Sequence, residues 1–111
     1  MDNRSIGVFD SGIGGLTVVK ELMEILPNEK IVYFGDTARV PYGNRSEDTI
    51  KRFSKECIEF LDKKDIKALI IACNTVSAVA LDMLKEIFDM YILGVIVPGS
   101  KMANNITINK K

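Results

Sequence analysis

The stretch "IIACNTVSA", residues 70 to 78, ends an apolar run with a thiol, an amide and a hydroxyl in succession: Cys73, Asn74 and Thr75. A thiol works as base or nucleophile only as thiolate, and the chain contains no histidine to take its proton. The junction of a strand with a helix N-terminus offers another route, because the positive end of the helix dipole favours the thiolate. The competing reading of Cys73 is a small buried hydrophobe. Asn74 and Thr75 fit two compatible roles, capping the helix that follows or hydrogen-bonding a bound carboxylate or ammonium group. The other cysteine, Cys57, shares a helical stripe with Ile50, Phe53 and Leu61 and reads as core. Two such separated cysteines make no disulfide framework and no metal-ligand pair, so no metal site is expected.

Two further stretches hold polar groups among glycines. In "DSGIGG", Asp10 to Gly15, the glycines give G-x-G-G, with Thr17 where a dinucleotide fingerprint needs its third glycine, and no Gly-Lys-Ser/Thr follows. A smaller anion suits this turn: backbone N–H groups at a helix start would hold a carboxylate, with Ser11 adding a hydroxyl. The plainer alternative is that Asp10 caps the helix. In "GDTARVPYG", residues 35 to 43, Tyr42 and Gly43 either offer a ring and free backbone groups at the tip of a turn or simply form the turn. Arg39 and Arg45 bracket it, available to a carboxylate or to solvent.

Each of these stretches follows a short apolar run. "SIGVF" (5 to 9), "KIVYFG" (30 to 35), "ALIIA" (68 to 72) and "YILGVIV" (91 to 97) read as strands buried on both faces, being continuously apolar instead of alternating. Between them, helices are expected over 15 to 26, 46 to 64 and 76 to 88. The first carries Val18, Val19, Leu22 and Leu26 on one stripe, and Pro27-Asn28 ends it. The second has Ser46 as N-cap, Glu47 and Asp48 in its first turn, and Lys63-Lys64 at its negative end. This β-α-β-α-β-α-β order implies an α/β fold, a four-stranded parallel sheet between two helical layers. In such sheets ligands bind at the carboxyl ends of the strands. The loops at that edge are "DSGIGG", "GDTARVPYG", "CNT" (73 to 75) and "PGS" (98 to 100).

With 111 residues, 47% of them hydrophobic, the chain suits one core. Fifteen basic and fifteen acidic residues leave no net field to attract nucleic acid or an anionic membrane. No window approaches the ~20 apolar residues of a membrane span, and the N-terminus has no signal-peptide character, so a cytoplasmic location is expected.

Taken together and in order, "GVFDSGIGGLTV", "YFGDTARVPYG", "IACNTVSAVAL" and "GVIVPG" closely resemble the N-terminal part of glutamate racemases, within the aspartate/glutamate racemase superfamily. The resemblance runs from Ile6 into the tail. It implies a cofactor-independent isomerase that interconverts L- and D-glutamate and supplies the D-isomer for peptidoglycan. In that family two cysteines flank the substrate Cα, one removing the proton and the other delivering one to the opposite face. Cys73 matches the first. Asp10 and Ser11 match positions that contact the substrate and support this base, Tyr42 and Gly43 match a second binding loop, and Asn74 and Thr75 match residues that hold the amino acid beside the cysteine.

Family members have two α/β lobes, and the second cysteine belongs to a "GCTH"-type motif that does not occur here. Cys57, on its core stripe, is no substitute. The expectation is therefore one incomplete lobe of a two-lobed racemase: residues 5–100 as the N-terminal α/β lobe, and 101–111 as a tail, either frayed or starting a helix that would continue. Such a chain is expected to be inactive alone and to self-associate through the surface left uncovered. Two other readings remain: a non-catalytic α/β module that binds a small amino acid or carboxylate, and a racemase of another acidic amino acid.

Overall fold

The computed structural model describes residues 3–12, 14–39, 42–96 and 107–109. Four parallel strands, β1 (Ser5–Asp10), β2 (Ile31–Gly35), β3 (Ile66–Ile71) and β4 (Tyr91–Ile96), form the expected sheet. The order across it is β2-β1-β3-β4, with a short β5 (Thr107–Asn109) added antiparallel to β4. β5 falls in the tail, where a frayed end or a helix start was expected. The β-branched Thr107 and Ile108 suit a strand, and the Asn and Lys residues around them hid that preference. The "PGS" loop and residues 101–106 lie outside the described residues.

Helices α1 (Gly15–Ile25), α2 (Glu47–Asp62), α3 (Asn74–Val79) and α4 (Leu81–Ile87) fill the connections. Alternation along the strands sends neighbouring side chains to opposite faces. Val8, Ala72 and Val95 meet Val18 of α1, while Phe9, Leu69 and Ile71 meet Ile50, Phe53, Cys57, Leu61 and Leu84 on the other side. That makes three layers, with α1 on one face and α2, α3 and α4 on the other among the described residues. Continuous burial holds for β1, whereas β2, at the sheet edge, is only half-buried throughout.

Two helices differ from expectation. Leu26 lies just past the end of α1, with its N–H bonded back to Leu22, and is 39% exposed instead of packed on the stripe. The single helix expected over 76 to 88 starts earlier, at Asn74, and is broken at Ala80 (φ −118°, ψ −5°) into α3 and α4. Hydrogen bonds from Ala80 N to Val76 O and from Leu84 N to Ala80 O carry the chain through the break. The bend rides over Gly94 of β4, where any Cβ would come within 2.9 Å of Ser77 Oγ and 3.2 Å of Leu81. In α2, Ser46 is the cap as read, its Oγ accepting from Thr49 N at 3.2 Å.

Candidate active site

The strand order reverses direction between β1 and β3: one connection leaves β1 toward β2, the next crosses back to β3. Such a switch point opens a crevice at the carboxyl ends of the two strands. The residues that emerge there are Asp10-Ser11 and Cys73-Asn74-Thr75. A hydrogen bond from Ala72 N to Phe9 O, 2.8 Å, keeps the strands paired up to the rim.

Asp10 is fully buried. Its Oδ2 accepts from the backbone N–H of Gly15, 2.9 Å, and from the Tyr33 hydroxyl, 3.0 Å, while Oδ1 has no hydrogen-bond partner among the described residues. The capping role considered for Asp10 is thus present in Oδ2, at the positive end of α1. Burial, with the Asp10 charge second, pushes the Tyr33 hydroxyl up to about 12. The turn between β1 and α1 depends on Gly12 and Gly14, at φ 110° and 84°, a region that side chains rarely adopt. A Cβ on Gly12 would also press on Thr37, so the first loop lies against the second. Ser11 is buried at the start of this turn.

Cys73 is 6% exposed and is the N-cap residue of α3, with its carbonyl accepting from Ser77 N at 2.9 Å. Asn74 is exposed and Thr75 half-buried on the first turn. The turn Tyr42–Asn44 packs beside them, since a Cβ built on Gly43 would lie 3.9 Å from Thr75 Oγ1. Three of the four loops therefore meet at one rim.

Tyr42 reaches this rim only through its backbone. Its ring is 1% exposed, lodged between Phe9 and Phe53 at centroid distances of 6.3 and 5.7 Å. Its hydroxyl donates to Asp36 Oδ2, and burial followed by that bond raises it far above the ordinary tyrosine range. Arg39 is likewise committed. It bonds Asp36 Oδ2 at 2.8 Å and Glu56 Oε1 at 2.6 Å, and lies over Phe53 at 4.0 Å. Arg45 donates to Arg39 O at 3.0 Å.

Cys57 sits in the core below, its Sγ 3.5 Å from Asp36 Oδ2, and burial first, then the Asp36 charge, pushes its thiol up to about 11. It lies on α2 and reaches the end of β2 only from the core side, through Asp36. Sequence reasoning missed two residues, Tyr33 and Asp36. The signal for Tyr33 was its period: it shares a face of β2 with Gly35, which pairs with Asp10.

No family model matches the chain. Curated relatives do. A glutamate racemase of Thermoanaerobacter pseudethanolicus is 52% identical over all 111 residues, which make up 41% of that protein, and one of Lactococcus lactis subsp. lactis is 51% identical with the same coverage. Among solved structures, glutamate racemase from Francisella tularensis in complex with D-glutamate matches with a TM-score of 0.81 and 57% identity, covering 85% of this chain and 36% of that one. The Thermus thermophilus glutamate racemase in complex with beta-chloro-D-alanine matches with a TM-score of 0.79 and 49% identity, covering 83% and 36%. The chain thus spans about two-fifths of the length of the curated relatives it matches.

Proposed function

The chain belongs to the glutamate racemase family, matching the N-terminal part of its members, and on that premise we propose that its β1/β3 rim is one half of a glutamate racemase site. The observation that carries the reading is the meeting of Asp10-Ser11 with Cys73-Thr75 at the switch point of the sheet. Cys73, as thiolate, takes the Cα proton of glutamate from one face. The resulting charge flows into the α-carboxylate, where fixed donors lower the barrier. Those donors are the side chains of Ser11, Asn74 and Thr75 and the backbone at Tyr42-Gly43. Asp10 supplies its open oxygen to the substrate ammonium and steadies the base. The chemistry uses no cofactor, takes place in the cytoplasm, and in the whole protein supplies D-glutamate for peptidoglycan.

Inversion needs a proton donor on the opposite face of Cα. Cys57 is held in the core beside Asp36 and does not serve. The chain by itself should therefore exchange a proton without inverting the centre. The test is solvent-deuterium incorporation at Cα of L- and D-glutamate, followed by NMR with Cys73→Ala as control. Exchange of one enantiomer without inversion, abolished in the variant, supports the half-site. A second reading is favoured by the near-complete burial of Cys73: a non-catalytic module that binds a small amino acid or carboxylate. It requires glutamate affinity unchanged by Cys73→Ala and no exchange.

A further inference from the structure

Hydrogen-bond accounting around Asp10 is lopsided. Both of its partners, Gly15 N–H and Tyr33 O–H, bind the same oxygen, Oδ2, and the buried Oδ1 is left without one among the described residues. Leaving a buried carboxylate oxygen unpaired is costly, so an arrangement that does so needs a reason. Two glycines make it sterically feasible. A Cβ on Gly15 would fall 2.6 Å from Asp10 Cβ, Cγ and Oδ2, and a Cβ on Gly35 would fall 2.7 Å from the Tyr33 hydroxyl.

Strand register explains the second clearance. Asp10 pairs with Gly35 and Val8 pairs with Tyr33, so Asp10 and Tyr33 are diagonal neighbours on the α1 face of the sheet. The Tyr33 ring packs in the α1 layer near Val8 and Val18. Its hydroxyl reaches Asp10 by passing over the bare Cα of Gly35. Any larger residue there would block the path.

We propose that Tyr33 is a positioning residue for the site: with the Gly15 N–H it pins Oδ2 of Asp10 and so keeps Oδ1 open for the ammonium group of the substrate. This rests on the reading of Asp10 as a substrate-contacting carboxylate. Tyr33 itself touches no substrate and acts through Asp10 alone.

The test compares two ligands that differ by one group. L-glutamate carries the ammonium, and glutarate carries the same two carboxylates without it. Tyr33→Phe keeps the packed ring and deletes only the hydroxyl. Calorimetric titration should show glutamate affinity falling about tenfold, the scale of one charge-assisted hydrogen bond, with glutarate affinity changed less than about twofold. Equal weakening for both ligands, or no weakening, overturns the proposal, because a purely structural role does not distinguish them.

If the unaltered chain binds neither ligand, the half-site reading fails for this chain, and Tyr33 is judged by carboxyl 13C NMR. Loss of the Tyr33 donor must move the Asp10 side-chain carboxyl resonance at constant pH in Tyr33→Phe; an unchanged Asp10 resonance overturns the proposal. Should Tyr33→Phe fail to fold, ultraviolet titration of the unaltered chain decides. Burial first, then the Asp10 charge, holds the Tyr33 hydroxyl up to about 12, so ionisation there upholds its buried place beside Asp10, and ionisation near 10, the ordinary tyrosine value, removes the basis of the proposal.

Discussion

Gly15→Ala is the sharpest test of where the Asp10 carboxylate sits. Gly15 has no left-handed backbone angle to lose, so the conflict is steric: the new methyl would meet Asp10 Cβ, Cγ and Oδ2, each at 2.6 Å. The carboxylate cannot swing away while Tyr33 and Gly15 N–H hold it. Crowding of this kind costs roughly 1–3 kcal/mol. If α1 shifts to relieve it, the Gly15 N–H bond to a charged acceptor, about 1.5–3 kcal/mol, is lost instead. Alanine returns at most ~1 kcal/mol of helix propensity. Taken from the middle of either range, the net expectation is a loss of roughly 1–2 kcal/mol, or about 4–10 °C in Tm for a chain of this length. Gly43→Ala is the matched control, because among the described residues its methyl finds only Thr75 Oγ1, at 3.9 Å. It should change stability by less than ~0.5 kcal/mol. Urea unfolding followed by circular dichroism reads both. A Gly15→Ala loss below ~1 kcal/mol, or equal losses for the two variants, would refute the placement of Asp10 against α1.

Two other expectations follow from burial. Since the folded Cys57 thiol is raised to about 11 from 9, it holds its proton more tightly folded than unfolded; its contribution to stability is intact below pH 9 and is lost as pH rises toward 11. Urea midpoints measured from pH 8 to 11 should fall less steeply in Cys57→Ala than in the unaltered chain; parallel curves would contradict the buried thiol. On α1, Leu16 and Met23 fall on one helical stripe and are 65% and 59% exposed, and Leu26, just past the end of the helix, is 39% exposed. Concentration-dependent self-association is expected through this stripe, and sedimentation should show it weakened in Leu16→Lys/Met23→Lys. A monomer at all concentrations in the unaltered chain would sink the idea.

The sequence made the layers legible because periodicity and capping are local signals. Ser46, Glu47 and Asp48 mark the start of α2 by type alone, and the stripe Ile50-Phe53-Cys57-Leu61 marks its buried side. Strand order was not legible, since no local pattern says that β2 lies beside β1 and that β3 returns to its other side. The break at Ala80 was equally silent: nothing near it is Gly or Pro, and its counterpart is Gly94, on the next strand. In the candidate site, the loop residues could be named from their place after strands. The direction of their side chains could not. Tyr42 shows this best, for its sequence position left an offered ring and a plain turn equally open, and the ring is lodged in the core between Phe9 and Phe53.

Asp10 and Asp36 show what the missing information was. Both are buried aspartates leaving the carboxyl ends of adjacent strands, joined by a hydrogen bond from Asp36 N to Asp10 O of 3.0 Å. By residue type and position they are equivalent. The donors around them make them different. Asp36 Oδ2 collects Arg39 Nε, the Tyr42 hydroxyl and the Cys57 thiol, and through them ties the second loop to α2. Such a carboxylate holds structure together and has little left to offer a ligand at that oxygen. Asp10 has the same burial but gathers its donors on one oxygen and, among the described residues, leaves the other without a partner. Removing the Tyr42 hydroxyl should therefore cost fold stability, whereas removing the Tyr33 hydroxyl should cost recognition of an ammonium group. The division between scaffold and site at this rim lies in how each carboxylate is hydrogen-bonded, which depends on residues 15, 33, 39, 42 and 57 arriving from four separate elements.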